Sequence, residues 1–194
     1  MEGVLKSFEI LKGVPTPRFK LILEPADLEK FPFPYFLKAD VGEHKTEAGA
    51  VARCDDLKHS QEVLKWIHKK FPENKIIVQE NFEGVEMIVG IKSDEVFGKL
   101  LMVGFGGIFA EVKRDVSFRA LPVSRKDIEE MVSSLSGFKV FSSRGNKYDL
   151  GKFYSLVEKV VQIAEKKNLK ELDLNPVIVG EKKSLAVDAR VLSG

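Results

Sequence analysis

The chain has 194 residues, is 44% hydrophobic and carries a formal net charge of +2 with acids and bases nearly balanced, which gives it enough apolar material for one domain with two lobes. Interspersed charge argues against a dedicated nucleic-acid surface, and no apolar run is long enough to span a membrane. The sequence shows no signal peptide, and Cys54, the single cysteine, excludes an intrachain disulfide framework or cysteine metal site, so the expected location is a reducing cytoplasm.

The elements read as mixed α and β, with no internal repeat and no low-complexity tract. Val4, Leu5, Phe8 and Leu11 are spaced for a short amphipathic helix ending at Gly13 and Pro15. Phe19–Leu23 reads as a strand, Phe31-Pro32-Phe33-Pro34 as punctuation, and Tyr35–Ala39 as a short strand carrying one lysine. A polar stretch from Asp40 to Gly49 leads to a strand over Ala50–Cys54. Asp55 or Asp56 then caps a helix whose Leu57, Val63, Leu64, Ile67 and Phe71 share a face. Ile76–Gln79 and Val85–Ile91 read as buried strands joined by a turn at Gly84. Leu100–Val103, Ile108–Val112 and Val116–Leu121 add three more. Ser124 with Asp127 opens a helix, a Gly/Ser loop spans Ser142–Asn146, and the longest helix covers about 149–168. The high Lys and Glu content, with few Gln and Asn, is compatible with a thermophile.

Four features bear on chemistry. Lys38 stands in an otherwise apolar strand: a buried ammonium there needs a partner such as a phosphate, whereas on an edge strand water serves. The stretch Gly42–Gly49 holds His44, Lys45 and Thr46 between glycines, which lets backbone N–H groups and charge-assisted donors converge on an anion. It is not a Walker loop, because the spacing differs and a strand follows. Gly104-Phe105-Gly106-Gly107 lacks the third glycine of a dinucleotide fingerprint at the right offset; it is a tight turn or a phosphate-facing loop. His59 and His68 lie on the polar face of the 57–71 helix and read as surface residues.

The last feature closes the chain. Glu171–Val179 and Leu185–Val191 alternate apolar and polar about Gly180-Glu181-Lys182-Lys183, the pattern of a β-hairpin. A fold symmetric about the Glu181–Lys182 link sets Leu172 opposite Val191, Leu174 opposite Ala189, Pro176 opposite Val187 and Ile178 opposite Leu185, an apolar face. The other face sets Asp173 opposite Arg190 and Asn175 opposite Asp188. That second face is either a solvated surface with an ordinary ion pair or a seat for Mg²⁺, which takes oxygen ligands and draws one or two of them from protein.

Tyr35-Phe36-Leu37-Lys38, His44–Val51, the run Gly104–Arg119 and the closing hairpin with Glu171–Pro176 and Ala186–Arg190 together resemble the β subunit of ADP-forming acyl-CoA (acetyl-CoA) synthetases, ATP-grasp proteins related to the succinyl-CoA synthetase β subunit. The resemblance covers nearly the whole chain in order. It implies an ATP-grasp fold of the α+β class: one domain over 1–194, a first lobe near 15–80, a second over 81–194, and the nucleotide between the two sheets. It implies that Lys38 reaches the nucleotide phosphates, with Lys45, Thr46 and Gly49 in the adjoining anion loop, that Gln79 sits at the adenine hinge and that Glu86 is a carboxylate of the nucleotide pocket. Asn175 and Asp188 match the Mg²⁺ ligands, and His44 matches the histidine that carries a phosphoryl group between subunits. The family usually has a longer stretch with Ser-Pro between lysine and histidine, and Gly-Gly-Val where this chain has Gly49-Ala50-Val51. The CoA-binding part of such enzymes lies on an α subunit, so the implied protein is an acetate or acyl-CoA ligase subunit working with Mg²⁺ and ATP/ADP in an α2β2 assembly. A stand-alone ATP-grasp carboxylate ligase and a non-catalytic nucleotide-binding subunit are the alternatives.

Overall fold

The computed structural model of the chain describes residues 2–41, 49–107, 115–145 and 148–193. It divides into two compact units, the first comprising Gly3–Leu5 and Pro17–Phe82, the second Glu2, Lys6–Thr16 and Glu83–Gly194. The expected helix near the N-terminus is α1, Val4–Ile10.

The first unit is a four-stranded antiparallel sheet in the order β1-β4-β2-β3, with β1 at Phe19–Leu21, β2 at Tyr35–Ala39, β3 at Val51–Cys54 and β4 at Ile76–Glu80. Helix α2 (Leu57–Lys70) starts where the sequence places it: Asp56 accepts the His59 N–H at 2.8 Å, and His68, Lys69 and Lys70 fill the last turn, where cations suit the helix dipole. Alternation sends Tyr35, Leu37, Ala39, Cys54, Ile76 and Val78 to one face, where they form a core with Leu64 and Ile67 of α2. A 3-10 helix over Pro25–Lys30 adds Leu28 to that core. It is held by the buried Asp27 carboxylate, which pairs with Lys20 and Lys30 and accepts the Leu23 and Glu24 N–H groups. Those partners hold the Asp27 carboxyl well below the usual carboxylate range, Lys20 contributing most.

The second unit is a six-stranded antiparallel sheet in the order β10-β8-β5-β6-β7, with β9 also on β8. Its strands are β5 (Val85–Asp94), β6 (Gly98–Phe105), β7 (Val116–Ala120), β8 (Glu171–Val179), β9 (Ser184–Ala186) and β10 (Arg190–Leu192). Helices α3 (Arg125–Ser133) and α4 (Leu150–Lys166) pack against it. The expected capping box opens α3: Ser124 Oγ accepts the Asp127 N–H at 3.2 Å while the Asp127 carboxylate accepts the Ser124 N–H at 2.7 Å. Arg125 ties the two helices, donating to Glu129 at 3.1 Å and Glu158 at 2.7 Å.

Three expectations change. Ile76–Gln79 and Val85–Ile91, read as strands joined by a turn at Gly84, belong to different sheets. Gly84 serves close packing instead, since a Cβ there would lie 2.2 Å from the Val179 carbonyl oxygen. Ser142–Asn146 is not simply a loop, because a 3-10 helix runs over Phe138–Gly145, where Phe141 stacks on Phe105. The strand expected over Ile108–Val112 falls outside the described residues.

The third change is the most consequential. The hairpin pairing is the expected one, Leu172 with Val191, Asp173 with Arg190 and Ile178 with Leu185. The other neighbour of β8 does not keep step: Met87 opposes Val177 but Val89 opposes Leu174, so Asn175 and Pro176 together face the single residue Ile88. This is a β-bulge, and proline, which has no N–H for the ladder, is tolerated there. The Asn175–Pro176 peptide is cis, and the Pro176 carbonyl accepts the Val187 N–H at 3.0 Å. Past the bulge the alternation inverts. Leu172 and Leu174 share their face with Val177 and Val179, all at most 1% exposed, while Ile178 joins Asp173 on the opposite face. The helices cover the first of these faces: Gly137, just after α3, lies against the Phe105 ring, and Lys99 donates to the Ala164 carbonyl of α4 at 3.2 Å.

Candidate functional site

In the first unit, Lys38 opposes Ile77 and Phe36 opposes Gln79 across β2 and β4, so Lys38 and Gln79 are diagonal neighbours on the face away from α2. Both are buried, at 5% and 0% exposure, on a sheet face that the helix leaves to other company. The alternative of a solvated edge lysine does not hold, since β2 is an inner strand. Gly49 has φ +69°, and a Cβ there would come within 2.9 Å of the Trp66 ring; it serves a backbone turn against α2. His44, Lys45 and Thr46 lie outside the described residues.

In the second unit, the face away from the helices carries the remaining candidates. Asp173, Asn175, Asp188, Ala189 and Arg190 line one cleft of about 100 Å³. Asn175 is exposed; Asp173, Asp188 and Arg190 are half-buried. The break between β9 and β10 at residues 187–189 lies beside the bulge, and the Ala189 N–H turns back onto the Asp188 carboxylate at 2.8 Å. A paired bulge and strand break thus present an amide and a carboxylate to a common space. Burial pushes the Asp173 carboxyl up from 3.8 to about 6; the Arg190 charge pulls it down, while Asp188 and Glu171 push it further up. Half-buried carboxylates crowded at the edge of one cleft favour a cation. Among the described residues no group of three His, Cys, Asp or Glu side chains could hold a metal by itself. The donor set is one amide oxygen and one or two carboxylates, which fits Mg²⁺ better than zinc.

Glu86 stands elsewhere on this face. It opposes Ile178, whereas Asp173 opposes Gly90, so the two acids are four residues apart along β5, about 13 Å. Ile88, Gly90, Met102 and Gly104 lie between them on the same face of β5 and β6. The result is an apolar strip with an acidic cleft at one end and a single exposed carboxylate at the other. Of the Gly104-Phe105-Gly106-Gly107 run, Gly104 and Phe105 are not a turn but the end of β6, and the Gly106 N–H donates to the Glu86 carbonyl at 2.8 Å.

Two things escaped the sequence reading. Asp173 and Arg190 look like an ordinary cross-strand ion pair, yet they line the same cleft as Asn175 and Asp188; the period-two pattern already put them on that face. The apolar strip carried no local signal, because it is assembled from two strands whose faces the bulge sets.

Within the second unit, a polar cleft on the sheet face away from the helices suits a cation; within the first, a buried lysine beside Gln79 suits an anion. Residues 7–192 match the family described as an ATP-grasp domain. The chain is 32% identical over 204 residues to the acetate–CoA ligase (ADP-forming) I subunit β of Pyrococcus furiosus, covering 95% of this chain and 88% of that one. It is 37% identical over 169 residues to the acetate–CoA ligase (ADP-forming) II of Archaeoglobus fulgidus, covering 84% of this chain but only 25% of that protein, so it spans about a quarter of that relative's length. Two solved structures of the Ca. Korarchaeum cryptofilum dinucleotide-forming acetyl-coenzyme A synthetase 1 superpose on it. One, with coenzyme A and Ca-AMPCP, has a TM-score of 0.87 at 28% identity, covering 99% of this chain and 93% of that one. The other, with coenzyme A and Mg-AMPPCP and its phosphohistidine segment pointing towards the nucleotide site, has a TM-score of 0.83 at 27% identity, covering 100% and 93%. The chain therefore belongs to the ATP-grasp family, in the branch formed by the β subunits of ADP-forming acetate–CoA ligases. Its fold is the ATP-grasp fold that the resemblance implied, and among the described residues no helix is long and apolar enough to cross a membrane.

Proposed function

We propose that the chain is the nucleotide-binding β subunit of an ADP-forming acyl-CoA ligase, cytoplasmic, and active only with a CoA-binding α subunit, in an α2β2 assembly. The observation that carries this reading is the cleft shared by Asn175 and Asp188, whose amide oxygen and carboxylate would hold Mg²⁺. When bound, Mg²⁺ supplies charge neutralisation on the phosphates of ADP or ATP. The chain's own residues do the rest. Lys38 gives an ammonium to the phosphates, with Lys45, Thr46 and Gly49 in the adjoining loop. Gln79 meets the base, and Glu86 stands at the far end of the strip. His44, as a neutral imidazole, attacks the phosphorus of the partner's phosphohistidine and releases that histidine; the ADP terminal oxygen then takes the phosphoryl from His44, giving ATP.

The test mixes the chain with its cognate α subunit, acyl-CoA, inorganic phosphate and Mg·ADP. ATP is expected only in the complete mixture, and an acid-labile phosphate is expected on His44. ATP formed by the chain without its partner refutes the subunit reading, and a His44→Ala chain of full activity refutes the relay.

A further inference from the structure

We infer that Arg190 is the phosphate-binding residue of the cleft: its guanidinium donates to oxygens of the anion whose charge is offset by the cation on Asn175 and Asp188. The placement comes from the second unit alone. Arg190 opens β10 directly opposite Asp173 of β8, and Asp188 stands two residues before it. All three side chains line the cleft, and all three are half-buried. A guanidinium set between two carboxylates ordinarily closes a two-pronged pair with one of them. Arg190 does not. Among the described residues its side chain makes no hydrogen bond and no ion pair, and it acts on Asp173 through its charge alone.

An arginine that served only to tie β10 to β8 would be closed on Asp173. This one is open, and its N–H donors, held in a fixed fork, are left for a partner with several oxygens. The neighbouring acids decide when such a partner can enter. Asp173, Asp188 and Arg190 together carry one negative charge at neutral pH, which repels an anion. A divalent cation seated on Asn175 and Asp188 reverses that sign to one positive. Half-burial then makes the attraction between guanidinium and phosphate stronger than it is in open water. Arg190 therefore binds phosphate oxygens in company with the cation and contributes little without it.

This inference deepens the nucleotide-binding reading and rests on it, so the experiment includes an anion that carries no nucleoside. Calorimetric titrations of the full chain use Mg·ADP, Mg·pyrophosphate, ADP in EDTA, and adenosine. They compare wild type, Arg190→Lys, Arg190→Gln, Asp173→Asn and the double variant Asp173→Asn/Arg190→Gln, with thermal melts to verify that each is folded. Arg190→Gln is expected to bind Mg·ADP and Mg·pyrophosphate about tenfold or more weakly, and adenosine within about twofold of wild type. Arg190→Lys keeps the charge and loses the fork, and is expected to be about threefold weaker. ADP without metal is expected to bind wild type and Arg190→Gln within about twofold of each other. The double variant separates contact from charge. A guanidinium that touches the anion costs the same factor when lost in the Asp173→Asn background, whereas one that merely offsets the Asp173 charge is not missed there. Unchanged Mg·ADP affinity in Arg190→Gln, an equal loss for adenosine, or a loss that vanishes beside Asp173→Asn each overturns the assignment while the nucleotide reading stands. An equally large loss with metal-free ADP overturns its dependence on the cation. Wild type binding Mg·ADP no better than Mg·pyrophosphate refutes the nucleoside part of the proposed function, and the pyrophosphate titrations then decide Arg190. Wild type binding neither overturns both.

Discussion

Asp173 makes the sharpest quantitative test of the acidic cleft. The folded chain holds the Asp173 proton up to about pH 6, against 3.8 for an ordinary aspartate, chiefly because the group is desolvated. Between those values the folded state binds more protons than the unfolded one, so this site's contribution to stability falls as pH rises and is least favourable above pH 6. A shift of about 2 units corresponds to about 3 kcal/mol, an upper bound for the cost of keeping the ionised group in the folded chain at neutral pH. Asp173→Asn removes that charge at nearly constant shape. The apo variant is expected to be more stable than wild type by about 1–3 kcal/mol at pH 8, raising the melting temperature by about 2–4 °C per kcal/mol. The gain should shrink to about a third of that at pH 4.5 and vanish only below the ordinary aspartate value of 3.8. Arg190→Ala works the other way, since it removes the one neighbouring charge that lowers the Asp173 carboxyl. Thermal melts followed by circular dichroism, without Mg²⁺ or nucleotide, read wild type and both variants at both pH values. An Asp173→Asn chain no more stable than wild type at pH 8, or a gain at pH 4.5 as large as that at pH 8, refutes the picture of a desolvated acidic cleft.

Asp188→Ala and Asn175→Ala are each expected to weaken Mg·ADP binding by about tenfold or more while leaving the melting temperature of the apo chain within a few degrees, as calorimetry and melts will show. Lys38→Met should reduce affinity for ATP and ADP much more than for adenosine, since the ammonium addresses phosphate; equal losses for all three ligands count against it. Leu174→Ala, at a fully buried position beside the bulge, should cost about 2–5 kcal/mol in urea unfolding. Gly104→Ala would bring a Cβ to 2.5 Å from Val116 Cγ1 and 2.7 Å from the Asp115 carbonyl, and is expected to cost about 1–3 kcal/mol; a neutral result there means that the β6–β7 end gives way more easily than its packing implies.

Local chemistry made several elements legible from the residues alone. The Ser124–Asp127 box, the Asp56 cap and the hairpin register each depend on groups a few residues apart, and each formed as read. The resemblance carried the fold and family further than periodicity could. Pairing between distant strands is where the reading stopped. Ile76–Glu80 and Val85–Asp94 look alike in hydrophobicity, yet the first pairs with β1 and β2 and the second with β6 and β8, which places them in separate sheets.

Hydrophobic alternation and turn residues were enough to determine the pairing of Asp173 with Arg190 and of Ile178 with Leu185 on either side of Asn175 and Asp188, because a hairpin's register is set by its own loop. Which way the apolar side chains around them point was decided elsewhere. That depended on β5, more than eighty residues earlier in the chain, offering the single residue Ile88 against Asn175 and Pro176. Another non-local pairing, of β5 with β6, set Glu86 beside Gly106. A strand carries its period in its sequence; the face it turns to a ligand is fixed by the neighbour it must match.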